Sequence, residues 1–280
     1  DEAQLALSAF LIMLGLGQLV AGSMSDTLGR RPVLLAGSLL FTVAGAAALI
    51  SPNIELLIVA RALQGFGASA CMAVGRVIIN DSFDKTEAGR QLSTITMIMA
   101  IVPMLGFAGG GLVADIIGWR GTVGIMVITA GVIFLANMAL LAETNHSRVA
   151  RAPILTVVGV FYLLLRKREF VVHATSGALL TAAFFALGGF MPYEFQRLGA
   201  SATMIGLLFS ITAFGYMSGN NLSRYMGPRL GLERTVFIGG MVSLAAVVML
   251  LALYLAGLAA ALVIAGCLYF FGVANGLVVA

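Results

Sequence analysis

Nine stretches of this chain are each long and apolar enough to cross a lipid bilayer, and no other sequence feature constrains its fold as strongly. A spanning helix needs about 20 predominantly apolar residues. Runs at roughly 3–24, 33–51, 54–79, 92–114, 121–142, 170–194, 203–223, 235–256 and 258–280 meet that length. They are continuously apolar and lack the two-residue alternation of barrel strands, so helices must be the spanning element. Composition agrees: 60% of residues are hydrophobic and 10% charged, against about 25% charged in a soluble domain. The expected fold class is an all-α membrane protein.

Connectors such as Ser51-Pro52-Asn53 and Ala256-Gly257 are short, which implies antiparallel neighbours. Four connectors on one side hold Arg30 and Arg31; Arg76, Lys85 and Arg90; Arg148, Arg151, Arg166, Lys167 and Arg168; and Arg224, Arg229 and Arg234. These are thirteen of the sixteen basic residues, so that side is expected to be cytoplasmic. The opposite side has Arg120 and Arg197, and Arg61 falls inside a span. The net charge of +4 thus reads as membrane orientation, and no nucleic-acid partner is expected. Pro153–Leu165 is apolar but too short to cross, and reads as an interfacial helix. It lies in a cytoplasmic linker, 143–169, between an N-terminal bundle (1–142) and a C-terminal bundle (170–280). The chain opens on Asp1 and closes inside an apolar run, so a piece of a longer protein is expected.

A shift of 202 residues aligns Gly17, Met24, Leu28, Gly29 and Gly37 with Gly219, Met226, Leu230, Gly231 and Gly239. Each stretch ends one span, turns and starts the next. Two similar helical blocks suggest a transporter with parallel halves.

Three places carry polar or conformationally special residues. The turn Gly22-Ser-Met-Ser-Asp26-Thr-Leu-Gly29-Arg30-Arg31-Pro32 has a glycine for a tight reversal and a proline suited to a first helical turn. Asp26 sits near a helix C-terminus, where the macrodipole disfavours an anion. It therefore needs a partner: Arg30, Arg31 or a neighbouring helix N-terminus. The same turn also reads as a plain positive-inside loop. In the third run, Arg61 precedes Gln64 and Gly65. An intramembrane charge usually faces a cavity or a partner; snorkelling to the outer interface is the other reading. Gly65, Ser69 and Ala73 form a small-residue packing stripe. In the fourth run, Pro103 precedes Gly106, Gly110 and Gly111, which fit a hinge or close helix packing. Cys71 and Cys267 lie in apolar runs without ligand spacing. No metal cluster, nucleophile–base pair or phosphate loop is evident, so neither an enzyme nor a cofactor is expected.

The Gly22–Pro32 turn resembles motif A of the major facilitator superfamily, G-x3-D-R/K-x-G-R-R/K. Arg61-Ala-Leu-Gln64-Gly65 resembles its motif B. With Gly118-Trp119-Arg120, the chain is similar to the Bcr/CflA drug-resistance group of drug:proton antiporters, read as helices 2 to 10 of twelve. Thr27 departs from motif A, where a basic residue stands. Gly106, Gly110 and Gly111 match part of the antiporter motif C, while Phe107, Val102 and Ser93 replace its proline and earlier glycines.

The resemblance implies two pseudo-symmetric bundles, incomplete here, that alternate access to a central cavity. It implies a cytoplasmic gate of Gly22, Asp26, Gly29, Arg30, Arg31 and Asp81. It gives Arg61 a proton-coupling role beside an acid of helix 1, since no acid lies deep in any span of this chain. Phe185, Phe190 and Tyr193 of the seventh helix and Asn220 of the eighth are candidate cavity residues; lipid-facing packing is the competing reading of the aromatics. The expected protein is a monomeric, multi-pass exporter of drugs or small amphipathic metabolites in the cell inner membrane. Its partners would be the lipid bilayer, a small-molecule substrate and protons. An importer of a sugar, nucleoside or organic acid is the alternative, followed by a non-transporting receptor or channel.

Overall fold

The computed structural model of the protein describes residues 2–145, 159, 162–258 and 260–279. The helices are α1 (Glu2–Leu28), α2 (Arg30–Leu49), α3 (Ile54–Ser82), α4 (Lys85–Leu140), α5 (Arg168–Arg197), α6 (Ala202–Leu230), α7 (Leu232–Leu255) and α8 (Ala261–Val279). No strand occurs among the described residues. Eight helices are long and apolar enough to cross a membrane. Large apolar side chains such as Ile12, Val43, Ile128, Phe237 and Leu262 stand exposed on them, as lipid-facing residues must. This is a multi-pass membrane protein.

Nine expected runs become eight helices at one residue. Gly118 breaks α4 with φ 75° and ψ 176°, a left-handed φ that a residue with a Cβ rarely adopts. The fourth and fifth of the expected runs are the two limbs of α4 on either side of it. Pro103, which begins the expected hinge stretch, leaves the backbone angles helical; within α4 only Gly118 departs from them. Of the expected interfacial helix, 153–158, 160 and 161 lie outside the described residues, while 162–165 are helical.

The chain forms two compact units. The first comprises 1–94 and 119–163, the second 95–118 and 164–280. The glycine at 118 is one hand-over point, and residues 95–118 of the limb before it belong to the second unit.

Within the first unit, α3 packs against α1 and α2. Between helices in lipid there is little hydrophobic driving force, so close van der Waals contact must hold them together. Small residues supply it. A Cβ on Gly65 would overlap the Phe10 carbonyl, and one on Gly17 would overlap the Ser69 side chain. Gly37 and Gly67 bring α2 backbone against α3 in the same way. Ala21, Val33, Leu34, Ala70 and Val74 form the buried core there. Asn53 starts α3 by accepting the Leu56 N–H at 2.9 Å, a normal N-cap.

The second unit repeats this scheme. Helix α6 packs on α8, and Gly215, Gly219, Gly272 and Gly276 each abut backbone of the facing helix. Met191, Phe195, Leu208, Phe209 and Leu268 fill its core. The internal repeat is visible in detail. Gly29 (φ 108°, ψ 155°) and Gly231 (φ 84°, ψ 155°) start α2 and α7 with closely similar backbone angles. Gly17 and Gly219 both stand against the next helix but one.

Candidate functional site

The Gly29 bend gathers charged residues from four parts of the first unit. Arg30 is buried. Its Nε donates to Asp81 Oδ2 at 2.9 Å and its Nη1 to Ser25 Oγ at 2.8 Å and to Asp26 Oδ1. One guanidinium thus ties the end of α1 to the end of α3. The partner that Asp26 needs is Arg30. Arg31 donates from Nη2 to the Met138 carbonyl at 2.8 Å, in the last turn of α4, where a cation is favoured. Gly22 has open space where a Cβ would stand.

Two further residues complete the cluster, and both come from the start of the linker. The first N–H groups of a helix lack intrahelical acceptors, and Gly29 has no side chain with which to cap α2. Glu143 does so from 113 residues away: Oε1 accepts the Arg30 N–H at 2.9 Å and Oε2 the Arg31 N–H at 3.3 Å. Asn145 serves the opposite end. Its Nδ2 donates to the carbonyls of Ser25 (3.3 Å) and Asp26 (2.9 Å) in the last turn of α1, and its backbone N–H donates to Glu143 Oε1 at 2.9 Å. A Cβ on Gly29 would strike the Glu143 carboxylate. The bend and residues 143–145 therefore meet on one face of the unit.

Burial alone would push the Glu143 carboxyl up. The backbone N–H donors of Asn145, Arg30 and Arg31 outweigh it and hold the group below its ordinary value. A carboxylate with a depressed folded pKa stabilises the fold above its unfolded pKa, and that contribution is lost as pH falls through the folded value. Thermal unfolding of the purified protein should therefore lose stability as pH drops below the ordinary glutamate value of 4.5. Glu143→Gln should flatten part of that acid limb and cost about 1 kcal/mol at neutral pH.

Arg61 lies two turns into α3 and is half-buried. Its guanidinium stacks over the Phe10 ring of α1, 4.8 Å from the centroid, and Nη1 donates to Gln64 Oε1 at 2.6 Å. Gln64 is fully buried, with Nε2 3.8 Å from Met126 Sδ. No carboxylate pairs with Arg61 among the described residues. A cation held on an aromatic face by a buried amide is set for an anion to approach. Gly65, next in the motif, is where α1 backbone meets α3.

In the second unit, the glycine stretch of α4 lies along α6. A Cβ on Gly111 would overlap the Ala202 carbonyl, whereas Gly106 has open space. Gly110 lies beside Gly111 on this stretch. Gly206 meets the Phe107 carbonyl, and Ser210 Oγ donates to the Met104 carbonyl at 2.8 Å. Asp115 caps α6: its carboxylate accepts the N–H groups of Ala202 (3.1 Å) and Thr203 (2.7 Å) and the Thr203 hydroxyl (2.5 Å).

Between the first limb of α4 and helices α5, α6 and α8 lies a cavity of about 290 Å³. Its lining includes Pro103, Phe107, Phe184 and Phe185, with Thr181, Thr212, Tyr216 and Asn275 as polar groups. Phe185 is therefore a cavity residue. Phe190 and Tyr193 are 46% and 42% exposed and do not line this cavity. Asn220 is buried, but its backbone N abuts Gly276 of α8 and it too is absent from the lining.

A charged bend locking two helices, an intramembrane arginine and an aromatic cavity, all on spanning helices, define a polytopic membrane protein built around solute-sized spaces. The Major Facilitator Superfamily model matches residues 1–280, and the chain belongs to that superfamily of transporters. An MFS-type transporter YdgK of Bacillus subtilis is 33% identical over 222 residues, 78% of this chain and 55% of that protein. A chloramphenicol resistance protein of Pseudomonas aeruginosa is 30% identical over 245 residues, covering 84% and 56%. Multidrug resistance protein D of Escherichia coli is 29% identical over 208 residues, covering 74% and 52%. The chain thus spans about half the length of these relatives. A partially occluded, inward-open structure of the xylose transporter XylE from Escherichia coli matches with a TM-score of 0.71 over 99% of this chain and 73% of that one, at 16% identity. That likeness is one of fold.

Proposed function

We propose that the full protein exports drugs or small amphipathic metabolites by proton-coupled alternating access across the cell inner membrane, acting as a monomer. The observation that carries the reading is Arg61, a cation on α3 stacked on Phe10 and bonded to Gln64, with no acid paired to it among the described residues. In this reading Arg61 is the counter-charge of a carboxylate that gains and loses a proton during the cycle. A cation within a few ångströms lowers that carboxylate's pKa, and substrate binding separates the two and lets a proton on.

The bend cluster is the cytoplasmic gate, with Gly22, Asp26, Gly29, Arg30, Arg31 and Asp81 as its members and Glu143 and Asn145 as its braces. The two moving halves are residues 1–142 and 170–280, joined by 143–169, with 95–118 of the first half grouped with the second unit in the state described. Gly106, Gly110 and Gly111 form the hinge, in which Gly111 is pressed against α6 and no atom stands near a Cβ position at Gly106. Two relatives named for drug resistance support export. Substrate recognition is assigned to the cavity around Phe185, and nothing further is assigned to Phe190, Tyr193 or Asn220.

The test is efflux of chloramphenicol, named for one relative, from cells expressing the full natural chain. Arg61→Ala should reduce uphill, gradient-dependent efflux to background while leaving the protein in the membrane. Unchanged uphill efflux in that variant would refute the coupling role.

A further inference from the structure

We propose that the cavity of the second unit selects uncharged, hydrogen-bond-accepting aromatic molecules and rejects permanent cations. This deepens the reading above by naming a substrate class for the same cavity, and rests on it only for the direction of transport.

The lining carries the inference. Its aromatic wall is Phe107, Phe184 and Phe185, and its polar groups are Thr181, Thr212, Tyr216 and Asn275. Among the described residues, no aspartate, glutamate, lysine, arginine or histidine lines it. A cation entering such a space loses its hydration and finds no carboxylate to replace it. The phenylalanine faces attract a cation, but weakly beside that loss.

The polar groups are poised for a neutral partner. Thr212 is 3% exposed, and its Oγ1 has no hydrogen-bond partner. A buried hydroxyl left unbonded is costly, and in a helix a threonine ordinarily satisfies itself on its own preceding turn. Thr181 does so, donating to the Gly177 carbonyl at 2.8 Å; Thr212, one wall away, does not. Asn275, also buried, directs Nδ2 to the Phe271 carbonyl at 3.2 Å, which uses one of its two amide hydrogens. A substrate oxygen that accepts from Thr212 satisfies the orphan hydroxyl, and the aromatic wall covers the apolar remainder. A volume of about 290 Å³ suits one small aromatic molecule.

The experiment uses two probes of nearly equal shape, triphenylphosphine oxide and methyltriphenylphosphonium, which exchange a neutral acceptor oxygen for a cationic methyl. Equilibrium binding is measured on the full natural chain in nanodiscs, without a proton gradient, so a failure of efflux coupling does not affect the result. The oxide should bind at least tenfold more tightly than the phosphonium. Thr212→Val, nearly isosteric, should weaken the oxide about five- to tenfold and leave the phosphonium unchanged. Asn275→Asp should narrow or reverse the preference by supplying a carboxylate. Equal or tighter phosphonium binding to the unmodified protein overturns the proposal, as does failure of both probes to bind. So does a folded Thr212→Val protein with unaltered oxide affinity. The comparison on the unmodified protein needs no variant and decides the matter if Thr212→Val does not fold.

Discussion

Arg30→Ala is expected to abolish transport and to destabilise the protein by about 1–3 kcal/mol. The arginine is buried and holds Asp26, Asp81 and Ser25 at once. Removing it leaves two carboxylates near each other without their counter-ion. Loss of a fully buried partner costs more, but the Asp26 and Asp81 side chains are 51% and 29% exposed, and water screens what remains. Arg30→Lys should recover only part of the loss. A single ammonium cannot donate from a planar fork toward α1 and α3 together. Thermal unfolding in detergent reads the stability, and efflux from cells reads the gate. A stable Arg30→Ala protein with full efflux would remove the cluster from the mechanism.

Gly219→Ala should cost about 3 kcal/mol through overpacking. The added methyl would overlap the Val273 carbonyl and stand 2.9 Å from Val273 Cα. These are backbone atoms, which cannot swing aside as a side-chain tip does, so α6 and α8 must part. Parting them also opens the contacts at Gly215, Gly272 and Gly276. The control is Gly240→Ala in α7, where a Cβ meets nothing. There the substitution should be neutral or stabilising by up to ~1 kcal/mol, because alanine favours the helix. Unfolding temperatures of the two variants, measured side by side, separate overpacking from a general effect of removing glycine.

These two variants mark what the sequence could and could not tell. The bend at Gly29 was legible because its constraint is local. Glycine, arginines and proline within one turn describe a reversal and a helix start. Its braces were not legible: Glu143 and Asn145 act across more than a hundred residues, and nothing near them in sequence marks them as caps. Asp115 likewise caps the start of α6 from 88 residues away. The buried face of a spanning helix is hard to read for a different reason. In water, one face of a helix is apolar and the other polar, and the period betrays the core. In lipid both faces are apolar, so Phe185 on the cavity and Phe190 on the outside look alike in sequence. Thr212 could not be singled out either, since an unbonded hydroxyl is a property of packing. The glycines that press helix on helix were visible only where spacing and repeat coincided, as at Gly17 and Gly219.

In the proposed cycle, solute movement is tied to proton movement through Arg61. Its most direct test is in proteoliposomes holding the full natural chain, with a pH-sensitive dye inside and a panel of neutral and cationic aromatic compounds added outside. At least one compound should drive protons outward as it enters, read as a rise in internal pH, and Arg61→Ala should erase that rise. Compound movement that is equally fast with no pH change, or a pH change that survives Arg61→Ala, would contradict it.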